Sequence, residues 1–388
     1  MKKVLIISFT TIPNEPRVMR QVWLLQSSCD LTVAGFGERP DARIGFVEIA
    51  SPRTSKAHKV WWALKLLAGA FESYYWGRHD VVSALRLLRD AAFDVIIAHD
   101  LAALPLALKL ANGKPVIYDA HEYAPRQAEN QFLWRLLFKR YSHALCRKYL
   151  PQAASMLTVC QGIANEYALH YGVKPLVVHN APLNQRLSPS PVREDTVRMI
   201  HHGTAARGRH LEVMIEMMAY LDGRFTLDLM LVESKPDYMA FLRQKAQHDA
   251  RIRFIEPVPM PEICRRINEY DVGVFLLPPN TFNHQHVLPN KFFEYIQACL
   301  MVAIGPSPEM AKLVREYECG IISDSFEPQA LARALSELDA GRVRALKEAS
   351  HRAAQSLCFE RDARIIEAEV ERLAFCGRLQ KDTVCEES

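Results

Sequence analysis

The chain has 388 residues, of which 49% are hydrophobic and 24% charged, and its formal net charge is +4. This composition is typical of a globular protein long enough for two domains, and it excludes a chain that is disordered along its length. The net charge is too small to indicate nucleic-acid binding by itself. Because no run of about 18 uncharged apolar residues is present, the sequence predicts no membrane-spanning helix.

Cysteine usage and the N-terminus bear on the cellular location. The nine cysteines are scattered and form no Cys-x-x-Cys pair, so neither a disulfide framework nor a zinc site is indicated. This pattern is typical of a reducing compartment, and we expect a cytoplasmic protein. Residues 1–8 are too short an apolar run for a signal peptide and are interpreted as a first buried strand.

Apolar runs alternate with helical patterns along the chain, which predicts an α/β fold with parallel sheets. The predicted strands of the first half are residues 4–8, 31–35, 95–98, 116–118, 156–159 and 176–178. Those of the second half are residues 197–200, 227–232, 252–255, 272–276, 302–304 and 320–322.

A polar, proline-containing stretch at residues 181–196 separates the two sets of strands. We therefore predict domains at residues 1–182 and 183–388, each a doubly wound Rossmann-like sheet. The two sheets are expected to face each other across a cleft, with ligands at the carboxyl ends of the strands. The final helical segment is a candidate to cross back to the first domain.

The loop after the first strand, residues 9–18, carries two prolines and is expected to have a defined shape. Within it, Asn14 and Arg17 are candidates to bind an anionic acceptor or a phosphate. The alternative for Arg17 is an ion pair at the start of a helix.

Two helical segments, residues 56–76 and 132–141, mix lysine and arginine with tryptophan, tyrosine and phenylalanine. This composition is typical of a helix that lies on a membrane surface. The alternative is that Trp61 and Trp62 pack in the protein core.

Two neighbouring strands of the first domain end in polar residues. His99 and Asp100 follow residues 95–98, and His121 and Glu122 follow the strand at 116–118. Because such strand ends lie at the same sheet edge, these side chains are expected to converge, and they are our candidates for catalysis. The alternative is that the histidines are structural.

The second domain opens with a strand, a glycine turn and a helical pattern. Gly203 and Thr204 form the turn, and Arg207 and Arg209 follow it. Glycine permits close approach of a phosphate, and arginine offers bidentate donors to it. The alternative is a surface turn with solvated arginines.

Residues 288–305 join a polar loop, a helix start and a buried strand. Pro289 suits the beginning of a helix, whose free amides, with Asn290 and Lys291 beside them, can hold an anion. Glu294 follows within about one turn, close enough to accept hydrogen bonds from the diol of a ribose. A helix start that holds a diphosphate and a glutamate that holds a ribose together describe a nucleotide-sugar site. The alternative is an amphipathic helix with a solvated Glu294. Since the sequence contains no Asp-x-Asp pair, we expect no metal at this site.

These motifs together resemble a GT-B glycosyltransferase of family 4. The resemblance runs through most of the chain and is carried by residues 15–18, 99–100, 119–122, 177–182 and, most specifically, 289–295. It implies a retaining transferase that uses a nucleotide-diphosphate sugar without a metal or other cofactor. The first domain is then the acceptor side and the second the nucleotide-sugar side.

Position by position, the resemblance implies that Glu294 holds the ribose, Arg207 contacts the diphosphate and His99 lines the catalytic cleft. Two residues depart from the family pattern. His286 stands where a first glutamate is common, and Thr204 stands where a basic residue usually follows the glycine. We include His286 among the candidate nucleotide-sugar contacts.

The predicted function is transfer of a hexose from a nucleotide sugar to a hydroxyl of a glycan or lipid-linked glycan, as in the synthesis of bacterial surface polysaccharides. The expected partners are the nucleotide sugar, this acceptor and the inner face of an anionic membrane; no nucleic acid is expected. Two alternatives are a GT-B sugar-nucleotide epimerase and a catalytically silent subunit that binds a nucleotide sugar.

Overall fold

The computed structural model describes residues 1–51 and 55–385, and their side chains up to residue 375. It divides into two compact units. Unit 1 comprises Met1–His179, Thr281–Asn283 and the C-terminal residues from Asp362, and unit 2 comprises Asn180–Asn280 and His284–Arg361. The sequence predicts a division after residue 182, and the observed units part after residue 179.

Unit 1 contains a seven-stranded sheet in which every pairing is parallel. Its strands are β1 (Lys2–Thr11), β2 (Cys29–Phe36), β3 (Gly45–Glu48), β4 (Val95–His99), β5 (Val116–Ala120), β6 (Ser155–Thr158) and β7 (Leu176–Val177). Its helices are α1 (Pro16–Leu25), α2 (Lys56–Leu67), α3 (Phe71–Trp76), α4 (His79–Leu88), α5 (Asp100–Ala111), α6 (Phe132–Tyr149) and α7 (Gln161–Tyr171).

The strand order is β3-β2-β1-β4-β5-β6-β7, so the winding direction reverses between β1 and β4. β1 and β4 are continuous apolar runs, with Val4 to Ile7 and Val95 to Ala98 fully buried, because helices cover both faces of a parallel sheet. Open α/β sheets bind ligands at the carboxyl ends of the strands where this reversal occurs. That position lies at Ser8 to Thr11 on β1 and at His99 on β4.

Unit 2 contains a six-stranded parallel sheet in the order β10-β9-β8-β11-β12-β13. The strands are β8 (Val197–Ala205), β9 (Phe225–Glu233), β10 (Ile252–Ile255), β11 (Val272–Phe275), β12 (Met301–Ile304) and β13 (Gly320–Ile322). The remaining helices are α8 (Glu212–Met217), α9 (Pro236–Ala246), α10 (Ile263–Ile267), α11 (Phe282–Gln285), α12 (Asn290–Gln297), α13 (Pro308–Tyr317), α14 (Pro328–Ser336), α15 (Ala340–Ala354) and α16 (Phe359–Cys385). From Asp362 onward, α16 belongs to unit 1.

A glycine on β11 sets how closely α12 approaches the sheet of unit 2. A Cβ atom on Gly273 would lie 2.2 Å from Cγ of Tyr295, so any side chain there would displace the buried tyrosine ring. Through this contact, α12 holds Lys291 and Glu294 beside the carboxyl ends of β8 and β11, where the winding of this second sheet reverses.

All twelve predicted strands are present, and the α/β class of the fold is confirmed. The sequence missed β3, a four-residue strand at the sheet edge with partly exposed residues, because it lacks an apolar run. Within the part of the chain that the structure describes, the helices are too short or too polar to cross a membrane.

Candidate functional site

The carboxyl ends of β4 and β5 in unit 1 carry the predicted catalytic residues, and the structure brings all four together. His99 ends β4 and is fully buried. Asp100 follows with a φ of 61°, a left-handed conformation that turns the chain sharply from the strand into α5. His121 and Glu122 follow β5.

Beneath these residues lies a buried ion pair between Arg17 on α1 and Asp119 on β5. Arg17 donates from Nε at 2.9 Å and 3.0 Å and from Nη2 at 2.6 Å to the carboxylate, and from Nη1 to the Val178 carbonyl at 2.8 Å. Gln21 donates to the same carboxylate at 2.6 Å. Burial acts to raise the pKa of Asp119, but the charge and hydrogen bonds of Arg17, together with the neighbouring histidines, outweigh burial and hold this pKa far below its usual range.

This ion pair accounts for the contacts of Arg17 in the structure, and binding of an anionic acceptor or phosphate by Arg17 stays a prediction. Its guanidinium binds the Asp119 carboxylate and the Val178 carbonyl, which both belong to unit 1. These contacts agree with our alternative, an ion pair at the start of a helix. Asn14 lies exposed in a short 3-10 turn before α1 and takes no part in the cluster around His99.

His99 and His121 contact each other directly. Nδ1 of His99 lies 2.9 Å from Nε2 of His121 and 3.5 Å from Oδ2 of Asp119. Nδ1 of His121 lies 3.5 Å from Oδ2 of Asp100, whose Oδ1 accepts the backbone N–H of His121 at 3.1 Å. Burial lowers the pKa of both histidines, that of His99 to about 3, so both are neutral near pH 7.

A cavity of about 320 Å³ opens at this edge of the sheet, where His99, Asp100 and Glu122 contribute to its wall. Aromatic side chains and hydroxyl groups also contribute to the lining. The aromatic and hydroxyl-bearing lining residues include Ser8, Thr10, Tyr74, Trp134, Phe138 and Tyr141. Burial, together with the charge of Asp100, raises the pKa of Glu122 to about 8. The cavity thus combines polar groups with aromatic rings, a composition typical of small-molecule binding sites.

Unit 2 places the glycine turn against a buried lysine. A Cβ atom on Gly203 would lie 2.9 Å from Nζ of Lys291. Nδ1 of His201 contacts the Val274 carbonyl at 2.8 Å and must donate to it, so Nε2 of His201 accepts from Lys291 at 3.2 Å. Burial, and then the charge of Arg209, lower the pKa of Lys291 to about 7.

The two arginines after the turn differ in position. Nη1 of Arg209 would lie 3.6 Å from a Cβ on Gly203 and donates to the Thr204 carbonyl at 3.4 Å. Arg207 is 58% exposed, pairs with Asp237 at 3.0 Å and lies over the Tyr238 ring. Contact between Arg207 and the diphosphate stays a prediction, and the cations that lie against the Gly203 turn are Arg209 and Lys291.

Pro289 is the N-cap of α12, Asn290 its first residue, and Glu294 lies one turn further on. Glu294 is largely buried, with Oε2 at 3.4 Å from Nε2 of His202. It is therefore not the solvated residue of our alternative. His286, before the helix, contacts Glu309 at 3.2 Å.

Among the described residues, one group has side chains close enough to hold a metal ion: His99, Asp119 and His121, whose ligand atoms lie within 4.8 Å of one another. The guanidinium of Arg17 already occupies the Asp119 carboxylate, so a cation would meet a fixed positive charge there. This group does not fit a metal, and we assign none to it.

Helices α2 and α6 pack against each other and expose a surface that we call the aromatic face. Its apolar members are 48% to 68% exposed, and they are Val60, Trp61, Leu64, Leu67, Phe132, Leu133 and Leu136. Basic residues lie among them, and neither helix contains an acidic residue. The predicted tryptophan pair is divided, because Trp61 is exposed while Trp62 packs edge-to-face on Tyr74 at 5.7 Å.

Comparison with solved structures defines the class of fold. Sucrose-phosphate synthase from Thermosynechococcus elongatus superposes with a TM-score of 0.71 at 12% identity, over 97% of this chain and 100% of that one. HepE from Anabaena, solved with UDP-glucose, gives 0.71 at 14% identity, over 96% and 100%. WaaG, a glycosyltransferase involved in lipopolysaccharide biosynthesis, gives 0.65 at 13% identity, over 94% and 99%. The protein therefore has the GT-B fold.

The family comparison agrees with this fold. Residues 41–181 match the model of Glycosyltransferase Family 4, and no curated protein sequence matches the chain significantly. The predicted resemblance to family 4 glycosyltransferases of the GT-B type is thus confirmed.

Three residues of these sites were absent from our candidates: Asp119, His201 and His202. Each had a signal in the sequence. Asp119 stands in the same strand-end motif as His121, and the two histidines directly precede Gly203 on a buried strand. Polar residues inside an otherwise apolar strand are unusual enough to indicate a role at the strand end.

Proposed function

We propose that the protein is a retaining, metal-independent hexosyltransferase that moves a sugar from a nucleotide-diphosphate donor to a hydroxyl of a glycan or lipid-linked glycan. The observation that carries this proposal is the cationic turn of unit 2, formed by Gly203, Lys291 and Arg209. In glycosyl transfer the leaving diphosphate gains negative charge, and fixed cations that face it stabilise the transition state.

The start of α12 adds to this donor site. Its first backbone amides can hold a phosphate, and Lys291 and Arg209 supply charge without a metal. Glu294, one turn further, is the proposed ligand of the ribose. HepE, which shares the fold, was solved with UDP and with UDP-glucose, and this supports a nucleotide sugar as the donor.

The cavity of unit 1 is the proposed acceptor site. Its wall of Trp134, Phe138 and Tyr141 offers rings on which a sugar can stack, and Asp100 and Glu122 offer oxygens for its hydroxyl groups.

Helix α6 contributes both to this cavity and to the aromatic face. An acceptor with a sugar in the cavity and a lipid against the aromatic face would use both surfaces of one helix. Each basic residue near an anionic membrane contributes about 1 kcal/mol to binding, and interfacial tryptophan adds to it. We therefore favour a lipid-linked acceptor, as in surface polysaccharide synthesis, with α2 and α6 on the membrane. WaaG, which shares the fold and is involved in lipopolysaccharide biosynthesis, supports this class of product.

The test is incubation of the purified protein with UDP-hexoses, with and without lipid-linked glycan acceptors, in a chelator. We expect nucleoside diphosphate release that depends on the acceptor, and a product with the anomeric configuration of the donor by NMR. Turnover that disappears in the chelator and returns with manganese or magnesium contradicts the metal-independent mechanism.

The same experiment separates the two alternatives. An epimerase would change the free nucleotide sugar without any acceptor. A silent subunit would bind the nucleotide sugar and leave it intact. We retain this alternative because His286 stands where a glutamate is common in family 4.

A further inference from the structure

Three residues of the chain, Thr281–Asn283, belong to unit 1, although the residues on both sides of them belong to unit 2. We call them the inserted segment. Thr281 and Phe282 are only 6% and 7% exposed, so the segment is packed into unit 1 and does not merely pass over its surface. It contacts the loop that follows β5, and this loop carries Glu122 at the wall of the cavity.

Phe282 anchors the inserted segment. The centre of its ring lies 5.4 Å from that of Tyr123 and 4.8 Å from the guanidinium carbon of Arg126. Arg126 pairs with Glu129 at 2.5 Å, and Oε1 of Glu129 accepts the backbone N–H of Phe282 at 2.6 Å. A cation over the ring and a carboxylate on the amide therefore fix this residue in one place.

Asn283 binds the loop itself. Its Oδ1 accepts the backbone N–H of Tyr123 at 2.8 Å, and this contact fixes the orientation of the amide, because the N–H needs an oxygen. Nδ2 then donates to the Tyr123 carbonyl and to Oε2 of Glu122, both at 3.3 Å. One side chain therefore holds both the main chain at Tyr123 and the carboxyl group of Glu122.

Tyr167 on α7 holds the same loop. Its buried hydroxyl donates to the Glu122 carbonyl at 3.0 Å and accepts the N–H of Ala124 at 3.0 Å. Because the only proton of this hydroxyl is used on the carbonyl, the hydroxyl of Tyr118, 3.4 Å away, is the donor between the two tyrosines. Together, Tyr167 and Asn283 bind every backbone polar group from the Glu122 carbonyl to the Ala124 N–H.

We infer that Asn283 and Tyr167 are positioning residues that hold Glu122 at the cavity wall, and that the cavity needs the inserted segment in order to bind its acceptor. Residues 121–123 lie between β5 and a short 3-10 turn. Without these two side chains, their backbone groups would be left to water and the Glu122 carboxyl would be free to turn away. The positioning follows from this chain alone, and the acceptor as ligand of the cavity rests on the proposed function.

The carboxyl group of Glu122 reports on these contacts because it titrates in an accessible range. Burial, and then the charge of Asp100, raise its pKa to about 8. Its two oxygens accept from amides that do not titrate, Oε1 from Gln127 at 2.5 Å and Oε2 from Asn283. The other ionisable groups at the cavity wall and beside the loop are the Arg78–Asp80 and Arg126–Glu129 pairs and the neutral His99 and His121.

The direct test is NMR of the full chain labelled with ¹³C at the glutamate carboxyl carbons, with Glu122→Gln to identify the signal of Glu122. Asn283→Asp keeps an oxygen for the Tyr123 N–H and adds a like charge beside the Glu122 carboxyl. The pKa of Glu122 should therefore rise by about one unit or more.

Asn280→Asp is the matched control for this titration. It adds the same charge to a nearby residue of unit 2, where the Asn280 amide contacts His210, and it should leave the pKa of Glu122 unchanged. Equal Glu122 pKa values in the two variants overturn the contact between Asn283 and Glu122, whatever the enzyme does.

Kinetics test the positioning role. Tyr167→Phe removes one hydroxyl and Asn283→Ala removes the amide. Each should lower kcat/KM for a lipid-linked glycan acceptor by roughly 3- to 10-fold and leave UDP binding and donor hydrolysis unchanged. Tyr149→Phe is the control, because it loses a hydroxyl that donates to Glu72 at 2.8 Å and should keep the kinetics of the unaltered protein.

The outcomes separate this inference from the proposed function. Acceptor kinetics that are unaltered in folded Tyr167→Phe and Asn283→Ala contradict the positioning role. In Asn283→Asp, the pH dependence of kcat/KM for the acceptor should move upward together with the pKa of Glu122. If the unaltered protein binds UDP but uses no acceptor, the proposed function fails, and the NMR titration still decides whether Asn283 holds Glu122.

Discussion

The side chain of Lys291 lies against the main chain of Gly203, in the space that a side chain at residue 203 would otherwise fill. A Cβ atom on residue 203 would lie 2.9 Å from Nζ and 3.3 Å from Cε of Lys291, and the backbone there has a φ of +127°. Residues other than glycine rarely adopt this φ, and the glycine leaves the lysine amine beside a bare main chain. The turn and the amine therefore form one feature, which we place on the donor diphosphate.

We expect Gly203→Ala to weaken nucleotide binding as well as folding. The new methyl group must displace Lys291, and the backbone strain costs about 1 to 3 kcal/mol. Binding of UDP by calorimetry and thermal unfolding measure the two effects. Gly208→Ala is the matched control, because a Cβ there meets nothing within 4 Å. If both variants bind UDP equally well, the Gly203 turn does not contact the nucleotide.

We expect Lys291 to make nucleotide binding depend on pH. Its pKa is lowered to about 7 by burial, and the charged groups around it are Arg209 and Glu294, with His201 and His202 neutral beside it. A bound diphosphate favours the ammonium form and raises this pKa, so binding takes up a proton above pH 7. Affinity for UDP should therefore fall as pH rises from 7 to 9, by up to about tenfold per unit.

Calorimetry in two buffers of different ionisation enthalpy measures this proton uptake directly. Lys291→Met should bind UDP more weakly and show no pH dependence over the same range. A wild-type affinity that is constant from pH 7 to 9 places the diphosphate away from Lys291.

The two arginines after Gly203 offer a matched pair. Arg209→Ala should weaken UDP binding by about 1.5 to 3 kcal/mol, the value of a charge-assisted hydrogen bond. Arg207→Ala, which loses an exposed ion pair with Asp237, should have little effect. The reverse order in a titration would restore Arg207 as the diphosphate ligand.

The sequence predicted the fold well because parallel strands are long apolar runs whose ends are marked by polar residues. It also placed His99 and His121 at the same sheet edge, where the structure has them in contact. It did not predict which charged side chains are paired within the folded protein. Arg17 and Arg207 were chosen for their charge, and their partners, Asp119 and Asp237, lie 102 and 30 residues away in the sequence. Such pairs depend on tertiary packing, which periodicity and spacing do not encode.

The Arg17 and Asp119 pair should matter for stability. Asp119→Asn leaves the guanidinium buried without a counter-charge, which typically costs about 3 to 5 kcal/mol. Because the pKa of Asp119 is lowered in the folded protein, its contribution is present above the unfolded pKa and is lost as pH falls below it. Urea unfolding at pH 7.5 measures the loss. Asp41→Asn, which opens the exposed pair with Arg43, is the control, and equal midpoints for the two variants would contradict a stabilising role for the buried pair.

The aromatic face should bind anionic membranes, and the two tryptophans of α2 separate this property from folding. Trp61 is 56% exposed, with Nζ of Lys65 5.4 Å from the centre of its ring, whereas Trp62 packs on Tyr74. Trp61→Ser should therefore reduce sedimentation with anionic liposomes at low salt and leave the melting temperature unchanged. Trp62→Ser should lower the melting temperature, because it removes a packed aromatic contact.

Replacing Lys56 and Lys59 with glutamine should weaken membrane binding further, by about 1 kcal/mol for each charge, and neutral liposomes serve as the reference. If the unaltered protein stays in the supernatant with anionic vesicles, the aromatic face does not bind membranes and a water-soluble glycan becomes the better acceptor.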